Sequence, residues 1–236
     1  MPEKYCVFEK PGDNNKKIVC KKNSSLEYIF LLPQDIQKDI ALEKEIVVEA
    51  GGDAQVYFFY FGGKNTHSEI KISMKSFSKI HYDVIFFLDK KQSLTLDENY
   101  NFLQPHGFGR FITKGFTAGE SCGEYCGTII IEKDSQETDG RMEVHSFILG
   151  QGAKCNMLPK LDIRANNVKA GHAASVSKID GESLFYLETR GIKRNDAIKL
   201  IIEGAFLDVT NRLSDPSIGD MILKMAMKKF DSTYNG

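Results

Sequence analysis

Short β-rich runs separated by turn-type residues fill the stretch from Val56 to Ile163, and this pattern restricts the fold more than any other feature. In "HSEIKISMKSF", Ile70, Ile72 and Met74 alternate with polar residues, so the three apolar side chains share one face of a strand. Comparable runs are "IHYDVIFFL", "GRFITKGF", "GTIIIEKD" and "RMEVHSFIL", with glycine-rich or polar turns between them. About seven to nine such strands predict a mainly β fold, which can be a sandwich, a barrel or a solenoid.

The segments on either side of this stretch have different patterns. Residues 1–45 mix polar turns such as "KPGDNNKK" with short apolar runs such as "YIFLL", which predicts an irregular N-terminal segment. A β core is expected over residues 46–178. After Lys178 the apolar residues follow a helical period, which predicts an α-helical C-terminal segment over residues 179–236.

Three helices are expected in the C-terminal segment because each carries an end signal. Asp180 is the predicted N-cap of the first helix, and Gly191 is its predicted stop. The second helix is predicted to begin near Asn195 or Asp196. Pro216 suits the first position of the third helix, since its missing N–H is not needed there.

The charge balance excludes two classes of partner. Lysine and arginine number 31 and aspartate and glutamate 32 in a chain of 236 residues, for a formal net charge of −1. Such a balance gives no field that attracts nucleic acid or an anionic membrane, so neither is expected as a partner. No apolar run approaches the ~18 residues of a membrane span, and the first residues lack the apolar stretch of a secretory signal. The five cysteines are an odd number, which predicts reduced thiols in a cytoplasmic protein.

Two glycine-rich segments fail as nucleotide-binding motifs. "FGGKNTHS" has Phe58 and Asn65 where a phosphate loop needs glycine and serine or threonine. "LGQGAKC" has Cys155 at the third glycine position of a dinucleotide turn. We therefore expect a chain that binds no nucleotide and does not hydrolyse ATP by itself.

Cys122 and Cys126 are candidate metal ligands because they have a Cys-x3-Cys spacing in "ESCGEYCG". Thiolates suit zinc or iron, but a tetrahedral site needs two further ligands. No second close pair of cysteine or histidine residues is found in the sequence. On a strand, residues four apart point to the same face, so packed thiols are the alternative.

Cys155 and His172 are two further candidates, 17 residues apart. His172 lies among small residues in "VKAGHAAS", which leave its imidazole unshielded, and neutral imidazole is a common ligand of zinc and iron. One turn of a wound β-sheet could bring Cys155 close to it. A buried small side chain for Cys155 and a structural histidine for His172 are the alternatives.

The region from about residue 138 to 210 resembles the SufB/SufD family of scaffold subunits in the SUF system of iron–sulfur cluster assembly. The resemblance is carried by "VKAGHAAS", "KIDGESLFYLETRGI" and the "EGAF" near the end of the following helix. "TDGRMEVHSFILGQGAK" is similar to the SufD branch more than to SufB. The chain is expected to be shorter than typical members, without most of their larger N-terminal region.

The resemblance implies a right-handed parallel β-helix core followed by a helical C-terminal segment. It also implies a mechanism in which two such subunits, identical or different, pair through their β-helices. Each would bind a SufC-type ABC ATPase through its C-terminal helices, and the ATPase motion would expose the site of nascent cluster formation. The chain itself would not be an enzyme, and an iron–sulfur cluster would be bound transiently.

The resemblance assigns residues only in part. His172 matches a cluster-site histidine of SufD, whereas the glutamate that follows this histidine in SufB is Ala173 here. Val144 stands where SufB has a sulfur-accepting cysteine, unless Cys155 takes that role. The expected contact region for SufC contains four apolar residues of the second helix: Ile198, Ile201, Ile202 and Phe206.

Three hypotheses follow from these features. The first is a non-catalytic scaffold subunit of cluster assembly. The second is a β-solenoid interaction module without an assembly role, because Val144 replaces the thiol. The third is a metalloenzyme that uses Cys122, Cys126 and a histidine.

Overall fold

The computed structural model describes residues 4–12, 15–179 and 181–234. Thirteen strands precede three helices along the described chain. The strands are β1 Lys4–Glu9, β2 Lys17–Cys20, β3 Ser25–Leu32, β4 Ile40–Val48, β5 Asp53–Tyr60, β6 Asn65–Met74, β7 Lys79–Leu88, β8 Ser93–Phe102, β9 Phe108–Thr117, β10 Cys122–Ile131, β11 Thr138–Ile148, β12 Lys154–Ile163 and β13 Val168–Lys178. The helices are α1 Gly181–Thr189, α2 Arg194–Thr210 and α3 Pro216–Tyr234.

The strands form a parallel β-solenoid with two strands in each turn. Sheet A contains the odd-numbered strands in the order β1-β3-β5-β7-β9-β11-β13, and sheet B contains the even-numbered strands from β2 to β12. Ladder partners lie 26 to 32 residues apart, as in Asp53–Lys79 and Cys122–Lys154. The prediction of a mainly β solenoid with a C-terminal helical segment is confirmed. Strand periodicity could not select it, because sandwiches and barrels have the same period of two.

The inward faces of the two sheets enclose one apolar core. Ile70, Ile72 and Met74 share the inward face of β6 as predicted, and all three are buried. Tyrosine and phenylalanine rings fill much of the interior, with contacts such as the stacking of Tyr100 on Phe111 at 3.9 Å between ring centroids. Rings of this size bury a large apolar area, so they dominate the stability of the core.

The helices cover the outer face of sheet A through a second apolar cluster. Phe206 of α2 lies between Phe61 and Phe116, with ring centroids 5.5 and 6.1 Å away. The predicted end signals are confirmed at Gly191, which has φ +82° after α1, and at Pro216, which begins α3. The predicted N-cap Asp180 lies outside the described residues.

The predicted N-terminal boundary at residue 45 is wrong. Strands β1 to β4 lie within residues 4–48 and pair in register with the strands that follow them, so the solenoid already includes this segment. The polar stretches of this region are the turns of the solenoid. Their residues resemble an irregular segment because the second strand, Lys17–Cys20, is only four residues long. Among the described residues, none of the helices combines the length and hydrophobicity that crossing a membrane requires.

Candidate functional site

The last turn of the solenoid is open. β12 is the edge strand of sheet B and β13 is the edge strand of sheet A, and no further described strand pairs with either outer edge. Inward-facing side chains that earlier turns bury are therefore exposed here. Val176 is 43% exposed, while its ladder partner Ser146 is fully buried. Ile163 is 41% exposed, while its partner Ile131 is buried. We call the inward-facing residues of β12 and β13 the mouth.

His172 lies in the mouth. It pairs with Met142 in the parallel ladder of β11 and β13, and ladder partners share a face, so its side chain is on the inward side of sheet A. Met142 is buried, whereas His172 is exposed because no later turn covers it. The small neighbours predicted to leave the imidazole unshielded are Gly171, Ala173 and Ala174, and the structure shows these three partly or fully exposed.

Cys155 is on the inward face of β12, in the same turn of the mouth. Its ladder partner is Gly123, and a Cβ at that glycine would lie 3.1 Å from the Cys155 sulfur. Burial raises the pKa of the Cys155 thiol to about 11, so the thiol is protonated at neutral pH. An incoming metal ion would have to displace this proton, because the thiolate is the ligand.

Cys122 and Cys126 face outward on sheet B, on the same side of β10 as predicted for a strand. Residues four apart on a strand are separated by about 13 Å. Since zinc–sulfur bonds are about 2.3 Å long, these two thiols cannot bind one metal ion in this conformation. More broadly, the described residues contain no group of three or more histidine, cysteine, aspartate or glutamate side chains that could hold a metal ion.

A buried polar network lies one turn inside the mouth. Tyr82 donates to one carboxylate oxygen of Glu98 at 2.6 Å, and Tyr100 donates to the other. The hydroxyls of Tyr100 and Tyr125 are 3.1 Å apart, and Tyr125 donates to the sulfur of Met142 at 3.2 Å. The network therefore ends at the ladder partner of the mouth histidine.

Glu98 is a residue that the sequence signals but that was not among the predicted site residues. In "SLTLDENYNF" the apolar face of β8 is Leu94, Leu96, Tyr100 and Phe102, and the same alternation places Glu98 on that inward face. Burial raises the pKa of Glu98 to about 7, and the two tyrosine hydroxyls act in the opposite direction.

The four apolar residues of α2 predicted to contact an ATPase have different environments. Ile198, Ile202 and Phe206 are buried against the outer face of sheet A, so in this packing they belong to the chain's own core. Ile201 is partly buried. The helical segment exposes other large apolar side chains, namely Phe185 and Tyr186 of α1 and Leu200 of α2.

Residues 12–205 match the family described as SUF system FeS cluster assembly, SufBD core domain. The chain belongs to the SufBD family. The SufD iron–sulfur cluster assembly protein of Escherichia coli is 35% identical over 97 residues, which are 41% of this chain and 23% of that protein. A SufBD family protein of Synechocystis is 34% identical over 102 residues, 43% of this chain and 21% of the relative.

A longer match is found with a SufBD family protein of Mycobacterium tuberculosis, which is 25% identical over 174 residues. These residues are 73% of this chain and 39% of that protein. The chain thus spans less than half the length of the curated relatives that it matches. The predicted membership of the SufB/SufD family is confirmed by the family match.

Proposed function

We propose that the chain is a cytoplasmic scaffold subunit of the SUF system that pairs with a SufB/SufD-type subunit and binds a SufC-type ATPase. The nascent iron–sulfur cluster would form at the interface between the two subunits. The observation that carries the proposal is the open mouth, which belongs to a chain of a cluster assembly family and contains His172 and Cys155.

The geometry of the mouth supports pairing with a second subunit. Edge strands present backbone N–H and C=O groups that can pair with another chain, and β12 and β13 are 10 and 11 residues long. A strand or turn of a partner placed there would bury Ile163 and Val176 as earlier turns bury Ile131 and Ser146. The partner would therefore continue the apolar core of the solenoid.

A shared site supports assembly at the interface rather than within one chain. The mouth offers an exposed imidazole and a protonated thiol, which are fewer than the four ligands of a typical cluster or tetrahedral site. Val144, at the position of the sulfur-accepting cysteine of SufB, is buried between the sheets. We therefore propose that the partner subunit supplies the missing ligands and the sulfur acceptor, and that the cluster is cargo.

The exposed residues of the helices support ATPase binding on their outer side. Phe185 is 67% and Tyr186 58% exposed, and the guanidinium of Arg190 lies over the Tyr186 ring at 5.1 Å. An exposed aromatic pair beside an arginine is the composition of protein–protein hot spots. The buried residues Ile198, Ile202 and Phe206 would transmit movement of the helices to sheet A.

Co-purification tests the partners. The chain, co-expressed with the SufC-type ATPase and SufB/SufD-type subunit of its own organism, should co-elute with both, and ATP hydrolysis should be stimulated. If neither protein co-elutes with or without ATP, the partner proposal is wrong.

Anaerobic reconstitution with ferrous iron and sulfide tests the site. In the assembled complex, His172→Ala should lose most of the visible absorbance of the cluster. The matched control is His67→Ala, because His67 is exposed on the outer face of sheet B, away from the mouth. Unchanged cluster loading in both variants would instead support an interaction module without an assembly role.

A further inference from the structure

A pocket at one corner of the solenoid has an excess of positive charge. It lies between α3 and the turns that lead from sheet A to sheet B, and its volume is about 260 Å³. Four lysines line it, Lys64, Lys90, Lys91 and Lys229, against one carboxylate, that of Asp89. We call it the corner pocket.

Lys229 forms the floor of the corner pocket and links α3 to the solenoid. Its ammonium group is nearly fully buried, and it donates to Asp89 at 2.9 Å, to the Gln92 side chain at 2.5 Å and to the backbone carbonyl of Phe61. These three bonds use all three N–H groups of Lys229. The pKa of Lys229 is lowered by burial, with a further contribution from the nearby charge of Lys90. The single carboxylate thus leaves the positive charges of the pocket undercompensated.

The other lysines are free to bind an anion. Lys91 is 3.7 Å from Glu120, but among the described residues neither Lys64 nor Lys90 forms an ion pair. Both are exposed at the rim, with ammonium groups that can donate into the pocket.

The backbone at Lys90 is strained for a residue with a side chain. Lys90 has φ +53°, a left-handed conformation that favours glycine. One turn further along the solenoid the equivalent position is Gly119, with φ +66°, as the ladder pairs Leu88–Thr117 and Ser93–Cys122 on either side show. A lysine is thus kept where the next turn uses glycine, and strain of this kind is concentrated at functional sites.

We propose that the corner pocket binds a small, multiply charged oxyanion of the size of inorganic phosphate, held by Lys64 and Lys90 above the buried charge of Lys229. The volume is below the range of about 300–1,000 Å³ typical of larger organic ligands, which favours an ion. Because Lys229 belongs to α3 and the two other lysines belong to the solenoid, the bound anion stabilises the docking of α3. The ligand is free phosphate or the phosphate end of a larger molecule.

Calorimetric titration and thermal unfolding of the purified chain test the site, with sodium phosphate compared with sodium chloride at equal ionic strength. Phosphate should bind with a stoichiometry of one and, at ten times its Kd, should raise the unfolding midpoint by about 3–6 °C. The variant Lys64→Gln/Lys90→Gln should lose the shift. The control Lys224→Gln/Lys228→Gln should keep it, because these lysines are exposed on another face of α3.

Pyrophosphate and ATP form further arms of the titration. Tighter binding of either one, also lost in the Lys64→Gln/Lys90→Gln variant, would identify the phosphate end of a larger molecule as the ligand. Equal midpoints in phosphate and chloride would overturn the proposal, as would a phosphate shift that persists in the Lys64→Gln/Lys90→Gln variant. The lysines chosen are exposed, so the substitutions should leave the fold intact.

Discussion

The Tyr125 hydroxyl donates a hydrogen bond to the sulfur of Met142 across the interior of the solenoid, over 3.2 Å. Tyr125 belongs to sheet B and Met142 to sheet A, so this contact joins the two sheets inside the core. The tyrosine can reach its position because residue 127 is glycine. A Cβ at Gly127 would lie 2.0 Å from the Tyr125 hydroxyl oxygen, a distance that no real structure tolerates.

Gly127→Ala is therefore expected to destabilise the chain by about 1–3 kcal/mol. The added methyl group displaces the tyrosine and leaves buried hydroxyl groups without partners. Urea denaturation measures the change in the free energy of unfolding. Gly171→Ala is the control, because a Cβ there has no neighbour within 4 Å among the described atoms and should change stability by less than about 0.5 kcal/mol. Equal stabilities for the two variants would contradict this role of Gly127.

Glu98 should make the stability of the chain depend on pH near neutrality. Its pKa is raised from 4.5 to about 7 in the folded state, so the folded state holds its proton more tightly than the unfolded state. The contribution of this proton is fully present below pH about 4.5 and is lost as pH rises through 7. The loss amounts to about 3 kcal/mol, since each pKa unit corresponds to about 1.4 kcal/mol.

Glu98→Gln should remove this component of the pH dependence, because an amide has no proton to lose. Above pH 8 the variant should be more stable than the parent chain, and near pH 5 the two should differ little. Glu124→Gln is the matched control, since Glu124 is exposed on the outer face of the same sheet. Parallel stability curves for the parent and Glu98→Gln between pH 5 and 8 would refute the prediction.

Subunit pairing through the mouth should be blocked by one charge on the inward face of β13. Val176→Lys would place an ammonium group in the proposed interface, and an uncompensated buried charge of this kind weakens binding by about 3 kcal/mol, or roughly 100-fold. Ser177→Lys is the control, because residue 177 faces outward on the same strand. Analytical ultracentrifugation with the SufB/SufD-type subunit measures the affinity. If both variants bind equally well, the partner does not use the mouth.

Local patterns were sufficient to predict several elements of this fold. The alternation that places Ile70 and Ile72 in the core depends only on the period of a strand, and the same holds for the common face of Cys122 and Cys126. Gly191 and Pro216 mark helix ends for reasons of backbone geometry that act within a few residues. Such signals do not depend on the tertiary arrangement.

Features that depend on contacts between distant residues could not be predicted in this way. The choice of a solenoid depends on ladder pairs 26 to 32 residues apart, which no local period reports. The exposure of His172 depends on the absence of a later described strand over β13, although its strand pattern is ordinary. The buried state of Ile202 depends on sheet A lying beneath α2.

The helices should separate the residues that maintain the fold from the residues that bind the ATPase. Phe206→Ala removes a ring packed between Phe61 and Phe116, and should lower the free energy of unfolding by about 3–5 kcal/mol. Leu200 is 47% exposed on the same helix, so Leu200→Asp should change stability by less than about 0.5 kcal/mol.

Binding should show the opposite emphasis for Leu200. Leu200→Asp places a carboxylate on the exposed face of α2 and should weaken co-elution with the SufC-type ATPase at least tenfold, as expected for loss of an apolar contact at an interface core. Lys224→Asp, an exposed change on α3, controls for added negative charge. If Leu200→Asp binds the ATPase like the parent chain and Phe206→Ala fails to bind at temperatures where it is folded, the ATPase contacts the residues now buried on sheet A. The helices would then have to leave the sheet when the complex forms.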